Sequence, residues 1–383
     1  MKILHLYKDY HPILGGIENH IKMLAEAQAA AGHDVKVLVT NPKKLARKEM
    51  IKGVQVVRVH RLATIASTPL TAGFLPALAR SAPDITHLHF PYPVGELSQL
   101  IIDEIFGFTG RGRPYVITYH SDIVRSSQQK FLRYYQPLLV KVLKAAQRIL
   151  VTSQKYAETS PYLLPLAARC ALAPLGIDPR PFENAAPLFP RSERPVLLFL
   201  GRHRYYKGVD GLIRAMSEID AQLLIGGDGP MRAEWERLTD NLNLSGRVRF
   251  LGDIAAENLP GLYASADLFV LPATLRAEAF GTVLLEAMAA GLACVTTELG
   301  SGTSYVVQNG VTGLVVPPND PSALVQAISH LLENTSLRAQ MGAAGRERVR
   351  REFTLERMVD RVMSIYATVL EERTRGENLP ATH

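Results

Sequence analysis

The sequence predicts an α/β protein of two doubly wound domains, each with a parallel sheet covered by helices on both faces. Short apolar, β-branched segments alternate with stretches of helical periodicity along the whole chain, which is the pattern of repeated βαβ units. Between Pro174 and Pro195 six prolines are too closely spaced for a helix or a central strand. Because 383 residues exceed what one hydrophobic core ordinarily supports, we place an interdomain linker in this stretch.

The predicted strands are evenly divided between the two halves. The first half contains strands at 3–7, 35–40, 54–60, 85–90, 115–119 and 149–152. The second half contains strands at 196–200, 222–225, 248–251, 268–271, 294–297 and 314–316. Their nearly continuous apolar character is typical of parallel strands buried on both faces. Ligands bind such sheets at the carboxyl ends of the strands, so we expect a site in a cleft between the two domains.

The boundaries follow from the same patterns. We predict a first domain over residues 1–180, a second over 181–352 and a terminal helix over 353–372, whose apolar residues recur at helical spacing and need a docking surface. Residues 373–383 are predicted to form a flexible tail.

Composition limits the classes of function. Charged residues make up 21% and hydrophobic residues 47%, as in an ordinary folded protein. Neither Cys170 nor Cys294 lies in a cysteine cluster, which favours a reducing cytoplasm, and no apolar run approaches a membrane span of about 20 residues. Residues 1–182 carry 23 Lys and Arg against 12 Asp and Glu, which predicts contact with an anionic surface or acceptor. We predict no nucleic-acid partner.

Glycines mark the first candidate site. Gly15 and Gly16 follow the first strand and precede a helical pattern, so they lie at a helix N-terminus. Glycine lets the backbone approach a phosphate closely, and the unpaired amides and helix dipole favour its negative charge. A tight strand-to-helix turn without a ligand explains the same pair, so both interpretations stay open.

The second domain opens with two cations in one strand-to-helix loop. Gly201 and Arg202 follow the strand at 196–200, and Lys207 stands five residues after Arg202. An Arg can pair with phosphate oxygens through two hydrogen bonds, and a Lys supplies a point charge. The loop therefore favours binding of a departing diphosphate.

Two carboxylates eight residues apart form the most informative motif. Glu278 precedes Phe280, Gly281, Thr282 and Val283, and Glu286 falls within the apolar helical pattern that follows. A carboxylate in apolar surroundings costs several kcal/mol unless something pairs with it, and a ribose diol is one suitable partner. A helix N-terminal acid explains Glu278 without a ligand, but it does not explain Glu286 two turns further on.

Together these segments resemble glycosyltransferase family 4 over nearly the whole chain. The resemblance rests on Gly15 to Glu18, Arg202 to Lys207, Gly226 to Pro230, and the E-x7-E signature formed by Glu278 and Glu286. It implies a GT-B fold, with two Rossmann-like domains facing across a cleft, a nucleoside diphosphate sugar held by the second domain, and retention of anomeric configuration. It also implies that the terminal helix crosses back onto the first domain.

The resemblance assigns roles to individual residues. Glu278 would contact the donor sugar, Glu286 the ribose, and the backbone from Phe280 to Val283 the sugar and phosphate. Arg202 and Lys207, beside Gly201, would clamp the diphosphate, and the Gly15–Gly16 turn would close over it. His120 follows a first-domain strand at the position of the family's catalytic histidine.

The expected chemistry needs no cofactor and no metal. The sequence contains no Asp-x-Asp and no histidine cluster with metal-ligand spacing, so two cations would replace a divalent ion. We expect a retaining hexosyl transfer, of a hexose or deoxyhexose, to a saccharide or lipid-linked acceptor. Alternatives of similar architecture are a sugar-nucleotide epimerase, a phosphorylase and a non-catalytic relative that binds nucleotide sugars. A dinucleotide oxidoreductase is disfavoured because G-x-G-x-x-G is absent.

Two first-domain features have open interpretations. His87 and His89 lie on one face of a strand, where hydrogen-bonded core or rim histidines are favoured over acceptor contacts. A basic stripe with apolar residues between its members predicts either contact with anionic lipid on the inner face of the cell membrane or a solvated helix face. The stripe comprises Lys130, Arg133, Lys141, Lys144 and Arg148.

Overall fold

The computed structural model describes residues 1–13, 15–43, 46–65, 68–107, 113–122, 129–190 and 192–376, with the backbone alone for 107 and 129–134. The chain divides into two compact units. The first comprises Met1–Pro174 together with the terminal helix Leu355–Arg375, and the second is Leu175–Thr354. The terminal helix continues beyond residue 372, so the predicted tail begins too early, and its residues 377–383 lie outside the described part.

One eight-stranded sheet and a small hairpin form the first unit's β-structure. The strands are β1 (Lys2–Leu6), β2 (Asp34–Asn41), β3 (Arg47–Ile51), β4 (Val54–His60), β5 (Ala63–Ile65), β6 (Thr68–Leu70), β7 (Ile85–Phe90), β8 (Tyr115–Tyr119), β9 (Arg148–Val151) and β10 (Cys170–Leu172). The sheet order is β10-β9-β8-β7-β1-β2-β4-β3, parallel except for the antiparallel pair β3–β4, and β5 pairs with β6.

Helices connect these strands. They are α1 (Gly16–Ala30), α2 (Phe74–Arg80), α3 (Pro93–Gly107), α4 (Gln129–Ala145) and α5 (Gln154–Thr159), with a 3₁₀ helix at Leu164–Arg169. The terminal helix packs on α1, and its buried residues are those expected from the helical spacing: Met358, Val362, Tyr366 and Val369. Burial of this apolar stripe stabilises a helix whose outer face is highly charged.

The second unit contains one parallel sheet of six strands. They are β11 (Val196–Leu200), β12 (Gln222–Gly226), β13 (Val248–Gly252), β14 (Leu268–Leu271), β15 (Cys294–Thr297) and β16 (Gly313–Val316), in the order β13-β12-β11-β14-β15-β16. Its helices are α6 (Val209–Ala215), α7 (Arg232–Asn241), α8 (Leu259–Ala264), α9 (Thr282–Ala289), α10 (Thr303–Val306), α11 (Pro321–Glu333) and α12 (Thr335–Glu352). The terminal helix of the first unit (Leu355–Arg375) is α13. Short 3₁₀ helices lie at Arg180–Phe182, Tyr205–Lys207 and Ala256–Asn258.

Each sheet is doubly wound about one switch point. In the first unit the chain runs outward from β1 through β2 and β4 and then returns to β7 on the other side of β1. In the second unit it runs from β11 through β12 to β13 and then returns to β14 beside β11. Loops that leave the carboxyl ends of such neighbours diverge and leave a crevice. The site of the first unit is therefore expected at the carboxyl ends of β1 and β7, and that of the second unit at the carboxyl ends of β11 and β14.

All twelve predicted strands are confirmed, with differences of at most one residue at their ends. Four strands were missed: the edge strand β3, the short β10, and the hairpin strands β5 and β6. The edge strand β3 is largely exposed and polar, so it lacks the apolar run that identifies a buried parallel strand.

Candidate functional site

The loops that leave β11 and β14 bring Lys207 and Glu278 together at the switch point of the second unit. Lys207 Nζ lies 2.5 Å from Glu278 Oε2, and each residue is only 8% exposed. Lys207 ends the 3₁₀ turn after β11, and Glu278 lies in the loop between β14 and α9. The structure thus joins two of the predicted site residues, which are 71 positions apart in the chain, in a buried ion pair.

Gly208 makes this approach of the two loops feasible. It adopts φ +68°, and a Cβ at this position would lie 2.1 Å from the carbonyl oxygen of Pro272. The neighbouring amide of Thr274 donates a hydrogen bond to the carbonyl of Tyr206, at 2.8 Å. Any side chain at Gly208 would therefore separate the two loops, and sequence reasoning gave this glycine no role.

The ion pair keeps Lys207 charged. Burial lowers the pKa of the Lys207 amine, but the charge and hydrogen bond of the adjacent Glu278 carboxylate and the Tyr206 side chain together raise it by more, so the pKa lies above the ordinary value. A buried ammonium that is hydrogen-bonded to a carboxylate is a fixed positive charge in a low-dielectric environment. Such a charge can be shared with an anionic ligand without prior protonation.

A third loop, after β15, holds the Glu278 segment from the other side. Ser301 Oγ donates to the carbonyl of Glu278 at 2.8 Å, and the amide of Gly302 donates to the carbonyl of Ala279 at 2.7 Å. Arg276 Nη1 donates to the carbonyl of Gly300 at 2.6 Å. Backbone bonding on both sides fixes the position of Glu278, and no motif in the sequence identified Ser301 or Gly302.

The N-terminus of α9 follows the ion pair directly. Gly281 is its N-cap, with φ +78°, and makes no side-chain capping hydrogen bond. Thr282 and Val283, both half-buried, form the first turn, whereas Phe280 is buried and packs edge-on against Phe353. The Phe280 ring therefore anchors the turn in the core, and the helix amides are available to an anion.

Glu286 lies one helical turn further along α9 and already has a protein partner. Tyr263 on α8 donates its hydroxyl to Glu286 Oε2 at 2.7 Å. Burial raises the pKa of Glu286 to about 7, although the Tyr263 hydrogen bond acts in the opposite direction. Glu286 is therefore near the midpoint of its titration at neutral pH. Tyr263 provides the polar partner that the sequence analysis had suggested would be a ribose diol.

Arg202 and Gly201 occupy the start of the same loop as Lys207. Gly201 adopts φ +151°, and a Cβ there would lie 3.4 Å from Lys207 Nζ. Arg202 is exposed. Within the described residues the Arg202 guanidinium makes no ion pair, in contrast to the Lys207 ammonium.

Five buried histidines surround the switch point of the first unit. His5 lies on β1, His87 and His89 on β7, His120 directly after β8 and His20 on α1. The rings of His87 and His89 stack with centroids 4.3 Å apart, and those of His89 and His120 with centroids 5.4 Å apart. His120 is thus placed at a strand end, as predicted, among neighbours that the sequence left unconnected.

Hydrogen bonds link four of these imidazoles to the unit. His5 contacts Gln28 and His89, and His89 in turn contacts His120. His87 contacts the hydroxyls of Tyr366, at 2.5 Å, and Thr118, at 2.6 Å. The favoured interpretation of His87 and His89 as hydrogen-bonded buried residues is confirmed. Both ring nitrogens of His20 are buried without a hydrogen-bond partner among the described residues.

Burial keeps the cluster neutral. It lowers the pKa of His5 to about 4 and that of His20 to about 3, and it holds the pKa values of His87, His89 and His120 well below their ordinary value. A neutral imidazole carries one N–H donor and one acceptor. The cluster is therefore a set of directional hydrogen-bonding groups and carries no net positive charge near neutral pH.

Two trios of these histidines also meet the spacing of metal ligands. The ligand nitrogens of His5, His87 and His89 lie within 4.8 Å of one another, and so do those of His20, His89 and His120. The sequence has no local metal-ligand spacing, and these trios arise only in the tertiary structure. The members come from three strand ends and a helix, which no local spacing reveals.

The Gly15–Gly16 turn begins α1, as predicted, and its two glycines have different surroundings. Gly15 is the N-cap of α1, and a Cβ there would lie 2.1 Å from Glu18 Oε2, so the Glu18 carboxylate lies over this glycine. A carboxylate at this place complements the helix dipole from within the chain. Gly16 is exposed, and a Cβ on it would meet nothing within 4 Å. Of the two glycines, Gly16 is therefore the one with open space beside its Cα.

The basic stripe is shorter than predicted. Helix α4 ends at Ala145, and Arg148 lies on β9, where it pairs with Glu372 of α13. The stripe was extended too far because Arg148 continues the helical spacing although the strand has begun. Lys141 is exposed and pairs with Glu104, whereas the side chains of Lys130 and Arg133 lie outside the described part. Among the described helices, none combines the length and apolar composition needed to cross a bilayer.

Comparison with known proteins assigns the family. The Glycosyltransferase Family 4 model matches residues 14–180, and the Glycosyl transferases group 1 model matches residues 182–348. The O-antigen chain mannosyltransferase C of Escherichia coli is 32% identical over 98% of this chain and 100% of the relative. The chain belongs to the GT-B glycosyltransferases. Its two doubly wound units are the two Rossmann-like domains of that fold.

Further relatives of this GT-B glycosyltransferase align along most of its length. The D-rhamnosyltransferase WbpZ of Pseudomonas aeruginosa is 33% identical over 100% of both chains. The phosphatidyl-myo-inositol mannosyltransferase of Mycolicibacterium smegmatis is 30% identical over 93% of this chain and 90% of the relative. Among solved structures, sucrose-phosphate synthase from Thermosynechococcus elongatus has a TM-score of 0.80 at 25% identity, covering 96% of this chain and 99% of that one. Anabaena Alr3699/HepE in complex with UDP-glucose has a TM-score of 0.75 at 20% identity, covering 96% and 100%.

Proposed function

We propose that this enzyme is a family 4 glycosyltransferase that moves a hexose or deoxyhexose from a nucleoside diphosphate sugar to a saccharide or lipid-linked acceptor. The buried Lys207–Glu278 ion pair beside the uncapped start of α9 carries the proposal. A fixed cation and unpaired helix amides suit a diphosphate, and a carboxylate next to them suits sugar hydroxyls. Glu278 and Glu286 form the E-x7-E signature within this proposal.

The site suggests how the leaving group is stabilised. When the bond from the anomeric carbon to the diphosphate breaks, negative charge develops on the phosphate oxygens. Lys207 supplies a charge that is already in place, and Arg202, which is exposed at the start of the same loop, would add a second cation to the same group. Preorganised charge of this kind commonly contributes most of an enzyme's rate enhancement.

Retention is the stereochemical course that we propose. The acceptor oxygen forms its bond to the anomeric carbon on the face from which the diphosphate departs, and its proton passes to a diphosphate oxygen. We propose no covalent glycosyl intermediate, because both carboxylates of the site already have partners that hold them: Lys207 for Glu278 and Tyr263 for Glu286. Proton NMR of the product determines its anomeric configuration, and inversion relative to the donor contradicts this course.

We propose metal-independent catalysis, with Lys207 and Arg202 replacing a divalent ion. Activity in excess chelator should equal activity in its absence. Loss of activity that returns on addition of Mg²⁺ or Mn²⁺ contradicts the proposal. Loss that only Zn²⁺ restores would instead point to the histidine trios of the first unit.

The names of the relatives support a role in surface polysaccharide or glycolipid assembly. They are an O-antigen mannosyltransferase, a D-rhamnosyltransferase and a phosphatidyl-myo-inositol mannosyltransferase. Mannose is a hexose and rhamnose a deoxyhexose, so nucleoside diphosphate forms of these two sugars are the first donors to test. We further propose a cytoplasmic enzyme whose basic first domain contacts anionic membrane peripherally. Sedimentation with anionic vesicles at low salt, lost at high salt, tests this contact, and failure to sediment contradicts it.

The central experiment screens donors by thermal unfolding. A donor at a hundredfold excess over its dissociation constant should stabilise the chain by about 2.7 kcal/mol. Turnover with the stabilising donor then requires an acceptor and releases nucleoside diphosphate. Sugar interconversion without an acceptor would indicate an epimerase, dependence on inorganic phosphate a phosphorylase, and binding without release a non-catalytic relative.

His120 is the first-domain residue that we propose to contact the reacting sugar. His120→Ala should lower turnover and leave donor-induced stabilisation largely unchanged, because the diphosphate binds in the second unit. His60→Ala, which changes an exposed histidine of the same unit, is the matched control and should retain full activity. Equal activity of the two variants contradicts the role of His120.

A further inference from the structure

Three imidazoles form one hydrogen-bonded series that ends at His120. Gln28 Oε1 lies 2.7 Å from His5 Nε2, His5 Nδ1 lies 3.0 Å from His89 Nε2, and His89 Nδ1 lies 3.1 Å from His120 Nε2. All four side chains are at least nine-tenths buried. Within the series each ring directs a different nitrogen at each of its neighbours. The position of the proton on one ring therefore determines which nitrogen of the next ring carries a proton.

The orientation of Gln28 gives the series a direction. Its Nε2 donates to Met363 Sδ on α13, at 3.5 Å, and a hydrogen bond from Gln28 partly offsets the burial that raises the pKa of Tyr366 on the same helix. The amide nitrogen is therefore directed at α13 and the amide oxygen at His5. An oxygen can only accept, so His5 carries its proton on Nε2.

That constraint passes along the series. Because the rings are neutral, His5 Nδ1 is then an acceptor and receives the proton of His89 Nε2. His89 Nδ1 becomes an acceptor in turn and receives the proton of His120 Nε2. The reversed set of tautomers would place the lone pair of His5 Nε2 against Gln28 Oε1 at 2.7 Å, in a buried environment where such a contact is costly.

We propose that Gln28 is a positioning residue that fixes the tautomer of His120 through His5 and His89, so that His120 offers Nδ1 as a hydrogen-bond acceptor. Nδ1 is the ring nitrogen left outside the series. A lone pair at this place accepts from a sugar hydroxyl, and this assignment of the occupant rests on the proposed function. The tautomer itself does not depend on any substrate.

The cluster also offers a competing arrangement. A metal ion bound by His20, His89 and His120 would take one ring-nitrogen lone pair from each and would compete with the hydrogen bond between His89 and His120. Elemental analysis of the purified chain separates the two arrangements. About one zinc or other transition ion per chain, lost in His20→Ala, would overturn the tautomer series.

Nitrogen NMR of the histidine rings tests the proposal without any donor or acceptor. In ¹⁵N-histidine-labelled enzyme, long-range proton–nitrogen correlations should show His120 protonated at Nε2 and not at Nδ1, with His120→Asn assigning the signal. Gln28→Met removes the acceptor oxygen and should populate both tautomers of His120. Met363→Leu changes only the contact on the amide nitrogen side and should leave the tautomer unchanged. Nδ1 protonation of His120 in the unaltered enzyme would overturn the proposal.

Kinetics then distinguish positioning from simple support of the fold. In Gln28→Met, kcat should scale with the fraction of His120 that still carries its proton on Nε2. It should fall about twofold if that fraction is one half and about tenfold if it is one tenth. Donor-induced stabilisation should stay unchanged. If the NMR shift occurs but kcat does not change, the tautomer series stands and the role of His120 in transfer is wrong. If kcat falls while the tautomer is unaltered, Gln28 does not act as a positioning residue.

Discussion

At the switch point of the second unit a charged pair is buried, whereas at that of the first unit five imidazoles are buried in neutral form. Both sites lie at the carboxyl ends of neighbouring parallel strands, so the fold places them in the same way. Their chemistry differs because a buried ammonium needs a carboxylate beside it, whereas a neutral imidazole can be buried with uncharged hydrogen-bond partners. The second unit thus supplies fixed charge, and the first supplies directional hydrogen bonds.

The largest expected effect concerns the charged pair. Lys207→Met should lower kcat by about 10²–10³-fold, because the transition state loses a preorganised cation. The same change leaves Glu278 as a buried, unpaired carboxylate, which should lower the free energy of unfolding by about 3–5 kcal/mol. Steady-state release of nucleoside diphosphate and urea unfolding measure the two effects.

The double variant Lys207→Met/Glu278→Gln separates catalysis from stability. Removing both charges should restore most of the lost stability and leave activity low. Wild-type turnover in the double variant would show that the ion pair stabilises the fold only. It would contradict the conclusion that the second unit supplies fixed charge for catalysis.

The next effect tests whether loop contact creates the pair. Gly208→Ala introduces a Cβ at φ +68° and 2.1 Å from the Pro272 carbonyl oxygen, so stability should fall by about 3 kcal/mol. Trp235, the one tryptophan of the sequence, is buried in the second unit, and its fluorescence follows unfolding of that unit. Gly211→Ala is the matched control: it lies in α6, meets nothing within 4 Å, and should stabilise by about 0.5–1 kcal/mol. Equal midpoints for the two variants contradict the packing argument.

One pH effect on stability should be traceable to Glu286 of the second unit. Glu286 has a pKa of about 7 in the folded chain, above its ordinary value of 4.5. Between these values the folded state binds the extra proton, so this group's stabilisation is complete at low pH and is lost as pH rises through 7. The slope is at most about 1.4 kcal/mol per pH unit.

Glu286→Gln should remove this slope. Unfolding in urea, followed by Trp235 fluorescence between pH 5 and 8, gives the free energy of unfolding for both proteins. Their difference should change up to pH 7 and stay constant above it. A difference that does not vary with pH contradicts the raised pKa of Glu286.

The smallest expected effect lies in the first unit. Tyr366→Phe removes the hydroxyl that contacts His87 Nδ1 and should cost about 1 kcal/mol, since a neutral buried hydrogen bond contributes about that much. Circular dichroism during thermal unfolding measures the change. A loss of unfolding free energy as large as that of Lys207→Met would contradict the comparison, because it would mean that the neutral cluster depends on its partners as strongly as the charged pair does.

The second site was more accessible to sequence reasoning than the first. Lys207 and Glu278 each follow a strand whose apolar run is unmistakable, and charged residues at strand ends stand out. His5, His20 and His89 lie within apolar patterns, where an isolated histidine resembles a core residue. Their grouping depends on β1 being adjacent to β7, which the chain order does not reveal.

The error at Arg148 has an identifiable physical cause. Arg148 continues the helical spacing of α4 but belongs to β9, because pairing with β8 and β10 outweighs local periodicity. A contact formed by the fold thus replaced the one inferred from neighbours in sequence.

The amino-acid sequence by itself determined the alternation of strands and helices, the two-domain organisation of the fold and the residues that follow each strand, because these depend on local apolar patterns. Tertiary structure alone decided which strand ends adjoin, and with them the Lys207–Glu278 pair, the tight passage at Gly208 and the series from Gln28 to His120. Pairing energies and burial act between residues far apart in the chain, so their outcome exists only once the sheets have formed.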